Sequence, residues 1–437
     1  MIYGGDGLAR LPADASGRGK AVFIPFVLAG EKVDASVSEQ KPGFARAQPE
    51  RIIEPSAHRV EPGCPYFAEC GGCHYQHASY EHQLEIKKEI LRETLRRMAK
   101  LDLALEIQVH PSPPWNYRNR SRLQVQTNPA FAAGYFKMGS HELLPVETCP
   151  ISSPLINRGI AALWQSGCAG KVAQGIQEVE FFANADDSQL LLDVSVSADA
   201  RRGVVREWAE EMRTSMPEIA GVVAFRLGAA RGGVPNQEKW VTVGEDHLVY
   251  RTQNASYKVS AGSFFQTNRH LIDELVGIVT AGQSGERALD LYSGVGLFST
   301  ALAGDFHHIV SVESSQTSSA DLFYNRPSNV EVAQAAAEQY LARQEEKRRT
   351  GTGAGFPHLQ TPELAVVDPP RSGLGERVAR SLAKLAAPRL IYVSCDAATL
   401  ARDLVVLGHA GYRLDQLHLV DLFPQTFHLE TVLHLVR

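Results

Sequence analysis

The sequence predicts an α/β protein in three parts: a C-terminal domain built on a parallel sheet, a small N-terminal β-barrel, and a central α+β region between them. Three observations carry this. From residue 261 onward, apolar strands alternate with helical stretches. Over residues 1–58, short β-like runs alternate with Gly-containing turns. Residues 59–260 hold a cysteine cluster, one amphipathic segment and further strand-like runs.

In the C-terminal part, Ala288–Tyr292, Ile309–Val312, Leu364–Asp368 and Leu390–Ser394 are apolar runs of strand length. Near-continuous apolar strands separated by helices are the pattern of a parallel sheet covered on both faces. Arg413–Leu419 and Glu430–Val436 predict a closing hairpin. In the N-terminal part, Ala21–Pro25 and Lys32–Val37 are barrel strands. In the centre, Arg122–Gln126 and Leu190–Val196 read as strands. Tyr80–Lys100 reads as an amphipathic helix, with Leu84, Leu91, Leu95 and Met98 on one face and Lys87, Lys88, Arg92, Arg96 and Arg97 mostly elsewhere. Residues 342–362 are charged, then Gly/Thr-rich, and predict a surface loop.

The chain has 437 residues, 44% hydrophobic and 21% charged, ordinary values for a globular protein with a full core. No stretch approaches the ~20 apolar residues that span a bilayer, and Met1–Arg10 lacks the apolar core of a signal peptide. A cytoplasmic protein is expected, with no obligate protein partner and a monomer by default. The net charge of -5 weighs against a protein that coats nucleic acid, though not against a local RNA grip.

Asp290-Leu-Tyr-Ser-Gly-Val-Gly296 is a strand running into a glycine turn, and Glu313 follows seventeen residues later at the end of the next strand. Glycines let backbone approach a ligand at the carboxyl end of a strand, and an acid there accepts from ribose hydroxyls. Ser299 stands where a dinucleotide fingerprint has its third glycine. That disfavours a nicotinamide-dependent oxidoreductase and suits a cofactor without a pyrophosphate, such as S-adenosylmethionine. Asp368-Pro-Pro-Arg371 ends a later strand sharply. Cys395 ends another, in Ser394-Cys-Asp396, where Arg371 or a helix starting near Thr399 would favour its thiolate. Glu430 precedes the last strand. Taken singly, Cys395 reads more readily as a core cysteine and Glu430 as a solvated charge.

Six motifs follow in order: Phe264-Phe-Gln266-Thr-Asn268, Asp290–Gly296, Glu313, Asp368-Pro-Pro-Arg-Ser-Gly373, Tyr392–Asp403 and Asp421–Glu430. Together they resemble the RNA uracil-5 methyltransferase family over nearly the whole chain. The resemblance implies a Rossmann-like, S-adenosylmethionine-dependent catalytic domain with Cys395 as nucleophile and Glu430 as base. It also implies cofactor contacts from Gln266, Tyr292, Glu313 and Asp368. The pairing has a chemical reason. Thiolate addition to carbon 6 of uracil makes carbon 5 nucleophilic, and after methyl transfer a carboxylate must remove the carbon-5 proton so that the cysteine can leave. Arg371 is a candidate for stabilising the enolate oxygen. The chain departs from many relatives in having Ser293 and Leu297 where Cys and Asn are common.

Of six cysteines, Cys64, Cys70 and Cys73 fall within ten residues, and Cys149 lies far downstream. Four thiolates suit a tetrahedral zinc or a [4Fe-4S] cluster, and spacing leaves both open. The resemblance, through Cys64–His77 and Glu147–Pro150, favours the iron–sulfur cluster. Cys168 is expected to be structural. The N-terminal Gly4–Arg10 and Glu54-Pro-Ser56 resemble a TRAM domain, a small RNA-binding barrel. TRAM and cluster cysteines together resemble the ribosomal-RNA branch more than the transfer-RNA branch. Further RNA contacts are expected from Lys87–Lys100, from Trp115–Arg122, and from Phe264 or Phe265 stacking on a flipped uracil. Two rivals are a methylthiotransferase, whose radical motif needs Cys-x3-Cys where this chain has Cys64-x5-Cys70, and a non-catalytic RNA-binding protein that keeps the fold.

Overall fold

The computed structural model describes residues 1–11, 19–231, 234–350 and 361–437. Near the N-terminus, Gly7–Arg10, Ala21–Ile24, Phe44–Glu54 and Lys32–Gln40 form a four-stranded sheet in that order. Val22, Ile24, Val27, Ala45 and Ala47 make its small core. The central sheet has seven strands, in the order Val234–Gly244, Ile219–Arg231, Leu190–Val196, Ile176–Ala183, Arg120–Gln126, Ala132–Phe136 and Leu143–Pro145. Helices Pro154–Cys168 and Arg202–Ser215 share its core.

The sheet of the C-terminal domain, called the catalytic sheet after the activity expected of it, has eight strands, in the order Val330–Gln334, Phe306–Glu313, Gly285–Leu291, Leu364–Val367, Arg389–Ser394, Thr431–Val436, Arg413–Val420 and Ile107–His110. The first five are parallel, and Thr431–Val436 is antiparallel to both neighbours. Its residues alternate between two cores: Ala365, Val367, Leu390 and Tyr392 face one, while Leu364, Val366, Ile391 and Val393 face the other. Both faces are therefore dry, which is why these strands read as unbroken apolar runs. At roughly 1.5–3 kcal/mol per large buried side chain, this double burial outweighs the weak local preference of four- to six-residue strands.

Three features differ from the sequence reading. Strand Ile107–His110, from the region expected to be central, pairs in parallel with Arg413–Val420 and forms the edge of the catalytic sheet. The amphipathic segment is an α-helix over Tyr80–Thr94 that ends in one π-helical turn, Leu95–Ala99. Residues 342–350, expected in a loop, belong to helix Ala337–Thr350, while 351–360 lie outside the described residues. Among the described residues, no helix is long and apolar enough to cross a membrane.

Candidate active site

Four adjacent parallel strands deliver their carboxyl ends to one edge. Gly285–Leu291 leads into Tyr292, Phe306–Glu313 ends on Glu313, Leu364–Val367 leads into Asp368, and Arg389–Ser394 into Cys395. Ligands of open α/β sheets bind at that edge. The turn after the first strand is tightly wound: Tyr292, Gly294 and Gly296 have φ of 64°, 56° and 95°. The φ of 95° at Gly296 favours glycine there, and a side chain would also push the tip of Leu322, 2.7 Å away, aside. Glu313 holds this turn, accepting from the Gly294 N–H at 2.9 Å and the Ser315 N–H at 2.6 Å. Ser293, the departure from many relatives, donates to the Asp290 carbonyl at 2.8 Å and accepts from the Val312 N–H at 3.1 Å. Leu297 is buried in the core.

The acids beneath the edge are held above the ordinary carboxylate range. Asp290 is fully buried; burial pushes its carboxyl up to about 7, against hydrogen bonds from Ser299 and Ser293. Its Oδ1 is buried with no partner. Asp368, which accepts from Gln266 Nε2 at 3.3 Å, is also held high, by burial and then by the charge of Asp290. A cluster of acids that cannot ionise together fits a ligand carrying positive charge. S-adenosylmethionine, with its sulfonium and amine, is such a ligand.

Cys395 and Glu430 are brought together by strand register. Ser394 pairs with Thr431 in the antiparallel ladder, so the next residues along, Cys395 and Glu430, face one another. Thr431 Oγ1 donates to the Ser394 carbonyl at 3.1 Å and closes that end. The thiol is partly exposed, whereas Glu430 is 4% exposed. Burial, and after it the charges of Glu430 and Asp368, push Cys395 up to about 12, with Arg371 opposing them. Glu430 is held well above the usual carboxylate range by burial, then by Asp368. Arg371 contacts the His428 ring at 3.3 Å. Helix Ala397–His409 starts directly after the thiol, capped by Asp396, whose Oδ1 accepts from the Ala398 and Thr399 N–H groups.

Residues to which the sequence reading gave no positioning role fix both loops. Asp403 Oδ2 accepts from the Leu374 N–H at 2.7 Å and Tyr392 Oη at 2.8 Å. A side chain at Gly373 (φ 71°) would approach that oxygen to 2.6 Å, so the Asp368–Gly373 loop is moulded around it. The loop that carries Glu430 is held by distant residues. Lys87 Nζ binds Asp421 Oδ1 at 2.5 Å and the Phe423 carbonyl at 2.9 Å. Tyr80 Oη donates to Asp421 Oδ2 at 2.9 Å, and the N–H groups of His74 and Tyr75 both donate to the Gln425 carbonyl. Tyr3 Oη donates to Asp396 Oδ2 at 2.9 Å.

Other expected residues fall elsewhere. Lys87 is fully buried, so it is a strut and not an RNA contact. Arg96 and Arg97 pair with Glu93. Arg120 donates to the Ser263 carbonyl at 2.7 Å, pairs with Glu180 and lies 4.3 Å from the Phe182 ring, while Arg118 donates to the Arg120 carbonyl. Of that stretch, Arg122 keeps an exposed guanidinium, itself paired with Glu180. Phe265 is core, at 2% exposed; Phe264, at 59%, is the phenylalanine free to stack. Cys168 is exposed at the end of its helix.

Cys64, Cys70, Cys73 and Cys149 line one cavity of about 250 Å³, together with Tyr66, Tyr135 and Arg118. Among the described residues, no three His, Cys, Asp or Glu side chains converge closely enough to hold a single metal ion. Burial pushes Cys70 up to about 11 and Cys73 up to about 12.

The model of the tRNA (uracil-5-)-methyltransferase family matches residues 79–437, and the TRAM domain model matches residues 3–49. The chain belongs to the tRNA (uracil-5-)-methyltransferase family. An uncharacterized RNA methyltransferase of Aquifex aeolicus is 32% identical, covering 99% of this chain and 96% of its own. One from Streptomyces coelicolor is also 32% identical, covering 99% and 90%. The crystal structure of the Pyrococcus abyssi tRNA (uracil-54, C5)-methyltransferase, in complex with S-adenosyl-L-homocysteine, shares the fold: TM-score 0.73, 23% identity, covering 99% of this chain and all of that one. This family member is thus an RNA uracil-5 methyltransferase with an S-adenosylmethionine-dependent fold and an N-terminal TRAM domain.

Proposed function

We propose that the enzyme methylates carbon 5 of a specific uridine in large-subunit ribosomal RNA, with Cys395 as nucleophile and Glu430 as base. The observation that carries this is the register that sets the partly exposed thiol opposite a buried carboxyl. The thiolate adds to carbon 6, forming a carbon–sulfur bond and moving the ring electrons to an enolate. Carbon 5 then takes the methyl group that S-adenosylmethionine supplies. Glu430 accepts the carbon-5 proton, the carbon 5–carbon 6 double bond re-forms, and the thiolate leaves. Arg371 opposes the two acids that raise the thiol. Gln266, Tyr292, Glu313 and Asp368 line the strand-end edge that receives the methyl donor. A sulfonium beside Asp290 and Asp368 favours their ionised forms, and its positive charge offsets the repulsion that those acids exert on an ionised Glu430.

Cys64, Cys70, Cys73 and Cys149 would hold a [4Fe-4S] cluster that cross-links the cysteine loop to the central sheet and takes no part in methyl transfer. Zinc needs four sulfurs within about 3.8 Å of one another; thiols spread around a cavity suit a polynuclear cluster better. The ribosomal target is supported by the pairing of a TRAM domain with these four cysteines.

The test uses ribosomal and transfer RNA from cells lacking this gene, with labelled S-adenosylmethionine. Wild type is expected to label carbon 5 of one uridine in the ribosomal fraction, and Cys395→Ala to label none. Full turnover by Cys395→Ala overturns the mechanism. Label confined to transfer RNA moves the target to that branch. Cofactor binding without turnover on either RNA supports a non-catalytic RNA-binding protein. Iron analysis and visible absorbance of anaerobic protein test the cluster; zinc in its place refutes it.

A further inference from the structure

The segment around Tyr3 reaches the residue after Cys395. Tyr3 lies 393 residues from Asp396 in sequence, yet its hydroxyl donates to Asp396 Oδ2 at 2.9 Å. The Tyr3 ring stands edge-on to Phe427 with centroids 5.6 Å apart, and His74 packs on the same Phe427 at 4.6 Å. A side chain at Gly5 would come within 3.1 Å of His74, so the segment lies close against the cysteine loop.

Asp396 is the residue through which this contact acts. Its Oδ1 accepts from the Ala398 and Thr399 N–H groups and starts the helix, while its Oδ2 takes the tyrosine. Ser394 Oγ donates to the Asp396 carbonyl at 3.1 Å and accepts from the Asp396 N–H at 3.3 Å. Both neighbours of Cys395 are thus committed to one closed turn, which sets the direction of the thiol between them.

We propose that Tyr3 is a positioning residue for the nucleophile: its hydroxyl fixes the Asp396 turn that aims Cys395 at the uracil ring. The inference rests on the reading of Cys395 as nucleophile. The N-terminal domain then completes the catalytic centre in addition to gripping RNA. Tyrosine meets both requirements of the position, an apolar ring for Phe427 and a neutral donor for the carboxylate. Without the donor, Asp396 Oδ2 is free to turn towards a thiol that Glu430 and Asp368 already disfavour as thiolate.

The test compares full-length Tyr3→Phe, Asp396→Ala and the double variant on RNA from cells lacking this gene. Tyr3→Phe keeps the ring and loses one hydrogen bond to a charged acceptor, so kcat should fall about tenfold. RNA KM, cofactor Kd and Tm should stay at wild-type values, and the double variant should be no slower than Asp396→Ala alone. Asp396→Asn, which keeps the helix cap, replaces the alanine variant in the cycle if that variant does not fold; there the Tyr3→Phe loss should shrink to about threefold or less. Wild-type kcat in Tyr3→Phe overturns the proposal. So does full additivity in the cycle, or a rise in RNA KM at unchanged kcat, which would make Tyr3 an RNA contact. Turnover by Cys395→Ala would sink the nucleophile reading instead, whatever Tyr3→Phe does.

Discussion

Glu430→Gln should convert a turnover catalyst into a trap. The substitution is close to isosteric, and the resting carboxyl is already held well above its usual range by burial, so a neutral amide costs the fold little. Its effects on the two halves of the reaction oppose each other. Cross-strand neighbours have Cβ atoms about 5 Å apart. At that separation and an effective dielectric of ~20, an ionised Glu430 disfavours the Cys395 thiolate by on the order of 3 kcal/mol. The protonated resting carboxyl avoids that penalty, and glutamine, neutral at every step, avoids it too, so addition to carbon 6 and the first methyl transfer survive. Removal of the carbon-5 proton loses its base, a loss of roughly 10²–10⁴-fold. Addition then outruns elimination, and about one equivalent of covalent RNA–protein adduct should accumulate. Denaturing gels with labelled RNA would show it, and mass spectrometry of the linked peptide would assign Cys395. Multiple turnover above a tenth of the wild-type rate without adduct would refute the reasoning, as would an adduct on another cysteine.

Lys87→Ala leaves Asp421 buried and uncompensated, and should cost about 3–5 kcal/mol in urea unfolding; a loss under about 1 kcal/mol would show that Lys87 is not the strut described. Affinity for S-adenosylmethionine should tighten as pH rises through about 7. Asp290 and Asp368 are held protonated there, and a cation favours their ionised forms, so binding releases protons. S-adenosylhomocysteine, which lacks the sulfonium, should show a weaker slope by calorimetry in buffers of different ionisation heat, and equal slopes would refute the assignment. The same raised acids stabilise the ligand-free fold below their unfolded values near pH 4 and lose that contribution as pH rises through about 7. Asp290→Asn should therefore flatten the fall in Tm between pH 5 and 8.

What the sequence made legible follows from burial. Strands covered on both faces must be apolar throughout, so Leu364–Val367 and Arg389–Ser394 announced themselves, and the residues after them fell at the ligand edge. Cys395 and Glu430 could be proposed as a pair because they fall in recognisable motifs, one just after a strand and the other just before the strand that pairs with it. Features that depend on distant partners were not. Lys87 reads as a surface lysine until Asp421, 334 residues away, is seen beside it. Ile107–His110 is too short to signal a strand without Arg413–Val420 to pair with. The arginines of Trp115–Arg122 read as an RNA stripe, yet Arg120 is spent on Ser263, Glu180 and Phe182. Tyr3 carried no local sign at all.

These remote supports bear on how much of the chain the chemistry needs. Residues 261–437 contain every proposed catalytic and cofactor-binding residue. They lack Lys87 and Tyr80, which bind Asp421, and His74 and Tyr75, which hold Gln425 at a left-handed φ of 68°. They also lack Ile86, Ile90, Leu91, Leu95 and Ile107, which complete one face of the catalytic sheet. In a fragment, Asp421 would lose its cation, the loop to Glu430 would lose its anchors, and an apolar face would meet water. The strand ends carrying Tyr292, Glu313 and Asp368 depend least on these contacts. The fragment is therefore expected to bind cofactor weakly and to transfer no methyl group, even to a short single-stranded RNA that needs no help from the N-terminal domain. A fragment that retains more than about a tenth of full-length turnover on such an RNA would show that the 421–430 loop orders itself, and the proposed dependence of Glu430 on distant segments would fall.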